Sequence, residues 1–151
     1  MSGLAIEEGA GGTGILRSGM RLYLVRHAEA AGGAPDALRP LTDAGRTQAR
    51  ELGQTLRESG VRPDAILTSP LLRARETGLL IGRELGVPPA VDERLAPGAT
   101  PATVTEAVTG LGETVIVVAH QPDCSRVAAA LTGNPPPDFP PARALAIAIE
   151  R

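Results

Sequence analysis

Aromatic side chains are nearly missing from this chain: 151 residues hold one tyrosine, one phenylalanine and no tryptophan. Without them the core has to be built from Leu, Val, Ile and Ala. The stacking platforms with which proteins hold single-stranded nucleic acid are absent too. Cysteine occurs once, at Cys124, which excludes an internal disulfide and fits a reducing cytoplasm. No surplus of positive charge exists, with 15 basic against 17 acidic residues and a net charge of −2. A basic field for nucleic acid or an anionic membrane is therefore excluded. No apolar run approaches the roughly 20 residues of a membrane-spanning helix, and no charged-then-apolar leader marks a signal peptide. The expectation is one cytoplasmic domain with a single sizeable core.

Residues 1–19 read as a flexible arm ahead of a folded domain at 20–151. Gly9-Ala-Gly-Gly-Thr-Gly14 is glycine-dense and offers little to bury. It matches G-x-G-x-x-G, yet a dinucleotide loop needs a strand before it and a helix opening within it. Leu4-Ala-Ile6 is too short for that strand, so the match is rejected.

From Arg21 onward, strand-like and helix-like segments alternate. Leu22–Val25 is a strand. Thr42 caps a helix to about Ser59, with Leu52 and Leu56 on one face and Gly60 as its stop. Ala65–Thr68 is a short strand. Ser69-Pro70 supplies an N-cap and a first-turn proline for a helix ending at Gly86. A brief strand near Ala90–Val91 precedes a Thr100-Pro101 helix start that runs to about Leu111. Thr114–Ala119 is the most apolar strand, Pro122 opens a helix to Leu131, and Ala144–Ile149 is the last strand. This order predicts a single three-layer α/β/α domain around a mostly parallel sheet.

The chain has two histidines, and both stand where an apolar strand runs out, His27 after Leu22–Val25 and His120 after Thr114–Ala119. Ligands of open α/β sheets bind at such carboxyl ends. Beside them come Arg26, Ser69 and Arg73 at the second strand exit, and Gln121. Two guanidiniums, two imidazoles and two helix N-termini facing one crevice suit a doubly charged anion. The set lacks the carboxylate cluster that magnesium would need, so no metal and no cofactor is expected. Phosphate chemistry of that kind needs a positioned water or a protein nucleophile, which an imidazole can be.

These residues carry a family resemblance. Leu24-Val-Arg-His-Ala28 is similar to the Arg-His-Gly signature of the histidine phosphatase (phosphoglycerate mutase-like) superfamily, with Ala28 in the glycine position. Leu41-Thr-Asp-Ala-Gly-Arg46 resembles its L-T-x-x-G helix start. Ser69-Pro-Leu-Leu-Arg-Ala-Arg-Glu-Thr77 resembles its S-P-x-x-R-A-x-x-T element, and Val118-Ala-His-Gln-Pro122 its second-histidine motif. The short link from Gly86 to Thr100, with Arg39-Pro-Leu-Thr42 and Arg94-Leu-Ala-Pro97, looks most like the small SixA-type phosphohistidine phosphatases. The resemblance implies that His27 takes the phosphoryl group and that Arg26, Arg73 and His120 hold its oxygens. Ser69, Gln121 and Arg39 are further candidates for phosphate or substrate binding.

Glu93, beside Asp92, is the nearest candidate for a general acid, set against its reading as an exposed loop carboxylate. Arg39 either guards the entrance or pairs with Asp36 or Asp43. Glu29 is expected to partner an arginine. Cys124 is expected to be a packed thiol rather than half of a zinc site with His120. A phosphorylated partner is expected, a phosphohistidine protein first and a small phosphometabolite second. A mutase would need a closing lid, for which the chain is expected to be too short. A phosphate-binding regulator would not need His27. Nothing in the sequence bears on oligomeric state.

Overall fold

Leu22 and Leu24 turn to one side of the first long strand and Tyr23 and Val25 to the other, and all four are buried. A strand buried on both faces reads as an unbroken apolar run, which is why this one is flanked only at its ends by charge. The computed structural model describes residues 6–8 and 19–149. Its strands and helices are β1 (Ile6–Glu8), β2 (Met20–Arg26), α1 (Asp43–Glu58), β3 (Ala65–Thr68), α2 (Leu72–Leu85), β4 (Pro89–Val91), α3 (Pro101–Val108), β5 (Thr114–Ala119), α4 (Asp123–Thr132) and β6 (Ala144–Ile149). The sheet order is β1-β6-β2-β5-β3-β4, parallel throughout except where β6 runs against β2.

Alternation along the strands builds two cores. Leu22, Leu24, Val115, Val117, Leu145 and Ile147 pack with Val104, Val108 and Val127 from α3 and α4. Tyr23, Val25, Ile66, Ile116 and Val118 pack with Leu52, Leu56, Ala74 and Ile81 from α1 and α2. The result is the expected three-layer α/β/α domain. No helix among the described residues is long and apolar enough to cross a membrane.

Three expectations need correction. Ile6–Glu8, inside the segment read as a free arm, pairs in parallel with Ala144–Ala146. Gly9–Gly14, with the rest of that segment up to residue 18, lies outside the described residues. Helix α2 starts at Leu72 with Leu71 as N-cap and no side-chain cap, and the Ser69 hydroxyl takes the Leu71 N–H ahead of the helix while lying against His120. Helix α3 stops at Val108, since Thr109 is extended and Gly110 has φ +82°.

Two helix ends are set by local chemistry. Thr42 accepts the Gly45 N–H at 2.9 Å and caps α1. Gly86 ends α2 in the left-handed region at φ +75°, which only glycine adopts without strain. Gly45 answers to a different constraint. A Cβ there would lie 2.0 Å from the Glu29 carbonyl oxygen, so α1 presses its backbone onto the loop leaving β2. Gly45→Ala should push that loop away and cost about 1–3 kcal/mol. A thermal melt of the variant checks this, and an unchanged Tm would show that the contact is not tight.

Candidate active site

The exits of β2, β5 and β3, neighbours in the sheet, deliver the candidate residues to one place. The rings of His27 and His120 lie 5.2 Å apart between centroids, and both are buried. Nδ1 of His27 lies 2.7 Å from the Ala28 carbonyl oxygen. A carbonyl can only accept, so Nδ1 carries the proton and Nε2 keeps its lone pair. Ala28 is itself held, because its N–H donates to Thr77 Oγ1 at 3.0 Å while that hydroxyl donates to the Arg73 carbonyl. The threonine of the S-P-x-x-R-A-x-x-T element thus fixes the residue that fixes the histidine.

His120 is set by Ser69. Its Nε2 lies 2.7 Å from Ser69 Oγ, which also receives the Leu71 N–H. The arrangement that satisfies all three groups has the Ser69 hydroxyl donating to an unprotonated His120 Nε2, which places the ring proton on Nδ1 as a buried donor. Nδ1 of His120 and Nε of Arg26 are both buried and unpartnered. Two orphaned donors at one crevice are what an oxyanion would complete. Arg26 is steadied through Nη1, which donates to the Phe139 carbonyl at 3.0 Å.

Arg73 is buried at 7% exposure and reaches Asp36 with both Nη atoms, Nη1 to its carbonyl at 2.9 Å and Nη2 to its carboxylate at 3.2 Å. Arg39 donates from Nη1 to the same carboxylate at 2.9 Å and from Nε to the Ala31 carbonyl at 2.7 Å. Of the two readings of Arg39, the pairing with Asp36 is the one observed. Sequence reasoning weighed Asp36 only as a partner for Arg39 and missed its contact with Arg73. Its only signal was a Pro-Asp turn start three residues ahead of an arginine.

Three other residues depart from expectation. Gln121 spends both ends of its amide on Ser125, donating to Oγ and accepting from its N–H, so it closes the start of α4 rather than reaching the crevice. Glu29 receives the Thr42 hydroxyl at 2.6 Å and pairs with no arginine among the described residues. Ser69 is fully buried and acts on His120 rather than facing an anion directly. Glu93 opens a 3-10 turn, Glu93–Leu95, and is exposed. Cys124 is buried, and burial pushes its thiol far up, so it is the packed thiol expected. Among the described residues no group of three His, Cys, Asp or Glu side chains could hold a metal ion.

Both imidazoles are kept neutral. Burial pushes His27 down to about 4, the Ala28 bond pulls the other way, and Arg26, Arg73 and Arg39 lower it further. Burial pushes His120 down to about 3, with His27, Arg73 and Arg26 adding to it and Asp36 opposing. In the unfolded chain both would titrate near 6.5. Between about 4 and 6.5 the unfolded state binds more protons. This part of the stability is therefore complete above 6.5 and lost as pH falls toward the folded values. The urea midpoint should rise with pH across that window and then level off. A flat profile would contradict buried neutral histidines.

Comparison with known proteins agrees with this geometry. Residues 22–97 match the model of the histidine phosphatase superfamily, branch 1. The chain is 32% identical over 130 residues to phosphohistidine phosphatase SixA of Escherichia coli, covering 80% of each. The structure of the protein histidine phosphatase SixA complexed with tungstate superposes with a TM-score of 0.74 at 33% identity, over 81% of this chain and 83% of that one. A mycobacterial glucosyl-3-phosphoglycerate phosphatase shares the fold at 22% identity, with a TM-score of 0.59 over 78% of this chain and 81% of that one. With the two histidines and the arginines brought to neighbouring strand exits and the family model matched over half of its length, the chain belongs to branch 1 of the histidine phosphatase superfamily.

Proposed function

We propose that this chain is a metal-independent phosphatase that works through a phosphohistidine on His27, and that its substrate is a protein phosphohistidine. The observation that carries the reading is the Ala28 carbonyl on His27 Nδ1, which leaves Nε2 as a free, neutral nucleophile among cations. Nε2 attacks phosphorus, the bond to the leaving group breaks, and that group departs with the electron pair. Water then attacks the phosphoryl group, and His27 leaves as neutral imidazole with its Nδ1 proton in place. Arg26, Arg73 and the Nδ1–H of His120 stabilise the equatorial oxygens while charge spreads over them, the main task in such a transfer.

His27→Ala should lose turnover by several orders of magnitude while keeping its melting transition. Wild type mixed with substrate should carry a base-stable, acid-labile phosphoryl label, and EDTA should leave its rate unchanged. Turnover retained in His27→Ala would overturn the mechanism.

A small-molecule phosphatase is the second reading, favoured by the fold shared with the glucosyl-3-phosphoglycerate phosphatase. An alkoxide leaving group needs a proton, and a positioned acid is worth about 10²–10⁴ in rate. Glu93 is the candidate, yet it is exposed, and the link between α2 and α3 is taken up by β4 and the Glu93–Leu95 turn. That folded link also supports phosphatase over mutase, which would need it as a lid. On the phosphohistidine reading Glu93→Gln costs little with any substrate. A large loss confined to alkyl phosphates would promote the small-molecule reading.

A further inference from the structure

A carboxylate beside the arginines of an anion pocket calls for a reason. Asp36 stands in the loop between β2 and α1 and opens a 3-10 turn, Asp36–Leu38. Its carboxylate holds Arg39 through Oδ1 and Arg73 through Oδ2, yet its side chain is 63% exposed. The histidines and Arg73 form the buried floor, and Asp36 is a carboxylate next to that floor that is open to solvent. Its charge is felt at His120. A carboxylate has about four acceptor positions, so two bonds leave it free to take more.

Its protonation state narrows the role. The Arg39 hydrogen bond first, and the Arg73 bond second, hold Asp36 below the usual carboxylate range. A carboxyl held below its ordinary value is ionised at neutral pH, where it has no proton to hand to a departing alkoxide. An anion beside the pocket also repels a phosphate ester that presents only negative charge. It gains from a substrate that carries a positive group next to its phosphoryl, and the group of that kind is a protonated nitrogen.

We propose that Asp36 accepts the N–H of a nitrogen leaving group, so that the site selects phosphorylated imidazoles over alkyl phosphates. This deepens the phosphohistidine reading and rests on it for the attack by His27. In the step, the substrate ring is phosphorylated on one nitrogen and protonated on the other, with that N–H donated to Asp36. His27 Nε2 bonds to phosphorus as the P–N bond breaks. The bond pair passes to the ring nitrogen, and the ring leaves as neutral imidazole, still protonated where Asp36 holds it. No external acid is consumed. The charged and titratable groups facing that ring are Asp36, Arg39 and Arg73 at the opening, with His27, His120 and Arg26 beneath.

The test compares wild type with Asp36→Asn on N-phosphorylimidazole, a phosphohistidine-bearing protein and p-nitrophenyl phosphate, whose leaving group needs no proton. Asparagine keeps the size of the side chain and the backbone carbonyl that receives Arg73 Nη1. A hydrogen bond to a charged group is worth about 1.5–3 kcal/mol, and about 1.4 kcal/mol is tenfold in rate. The ratio of kcat/KM for N-phosphorylimidazole to that for the aryl phosphate should therefore fall roughly 10- to 100-fold. The alkaline limb of kcat on N-phosphorylimidazole should also move to lower pH, because the bound ring loses the anion that keeps it protonated. Equal losses on both substrates with an unmoved limb would show that Asp36 only positions Arg73, and would overturn the proposal even if phosphohistidine proteins remain good substrates. Asp36-dependent turnover of N-phosphorylimidazole without turnover of phosphohistidine proteins would remove the protein substrate and keep the role of Asp36. A wild type inactive on every P–N bond would remove both.

Discussion

One hydrogen bond organises this molecule's chemistry, the 2.7 Å contact between His27 Nδ1 and the Ala28 carbonyl. Between adjacent residues such a bond forms only if the backbone after the histidine turns to aim its carbonyl back at the ring. The turn is clamped from two sides. Thr77 in α2 receives the Ala28 N–H, and α1 lays its Gly45 backbone against the Glu29 carbonyl. Thr42 closes the clamp, donating its N–H to the same Glu29 carbonyl and capping α1 with its hydroxyl. The two helices on one face of the sheet are thus scaffolding for a single tautomer.

Around that tautomer the charges are arranged in opposition. Arg26, Arg73 and Arg39 all work against protonation of His27, and burial does more than any of them. On the proposed mechanism, the cations that meet the substrate therefore also keep His27 unprotonated before the substrate arrives. Donors aimed in advance at the place where charge will gather need no reorganisation during the reaction, which is where most of the gain from such a site comes from. Ser69 supports the same end by holding His120, so that a buried hydroxyl orients the second imidazole as the Ala28 carbonyl orients the first.

Much of this was legible in the residues because burial on both faces leaves a plain mark. β3, β5 and β6 run between the very residues that their apolar stretches name, Ala65–Thr68, Thr114–Ala119 and Ala144–Ile149. Once strands and crossover helices are in order, topology alone brings His27, Ser69 and His120 to neighbouring strand ends. What stayed hidden depends on where side chains turn after that. Asp36 sits in a loop rich in Ala, Gly and Pro whose local pattern says only that the chain bends. Gln121 and Ser69 are small polar groups with local backbone partners open to them, and which partner wins is decided by packing. The start of α2 is hidden for the same reason, since an N-cap serine and a serine bonded to a distant histidine look alike in one dimension.

The tie between Arg26 and Phe139 spans 113 residues of chain. The neighbouring Ala142 N–H reaches the carbonyls of both Arg26 and His27, and Arg143 receives the Arg26 N–H. β6, which follows these residues, lies inside the sheet next to β2 rather than at its edge. During synthesis His27 emerges early. Its arginine is anchored, and the sheet around it closed, only when residues 139–149 have left the ribosome. A chain stalled before that point has both histidines but lacks the carbonyl that steadies Arg26 and the strand that lies beside β2.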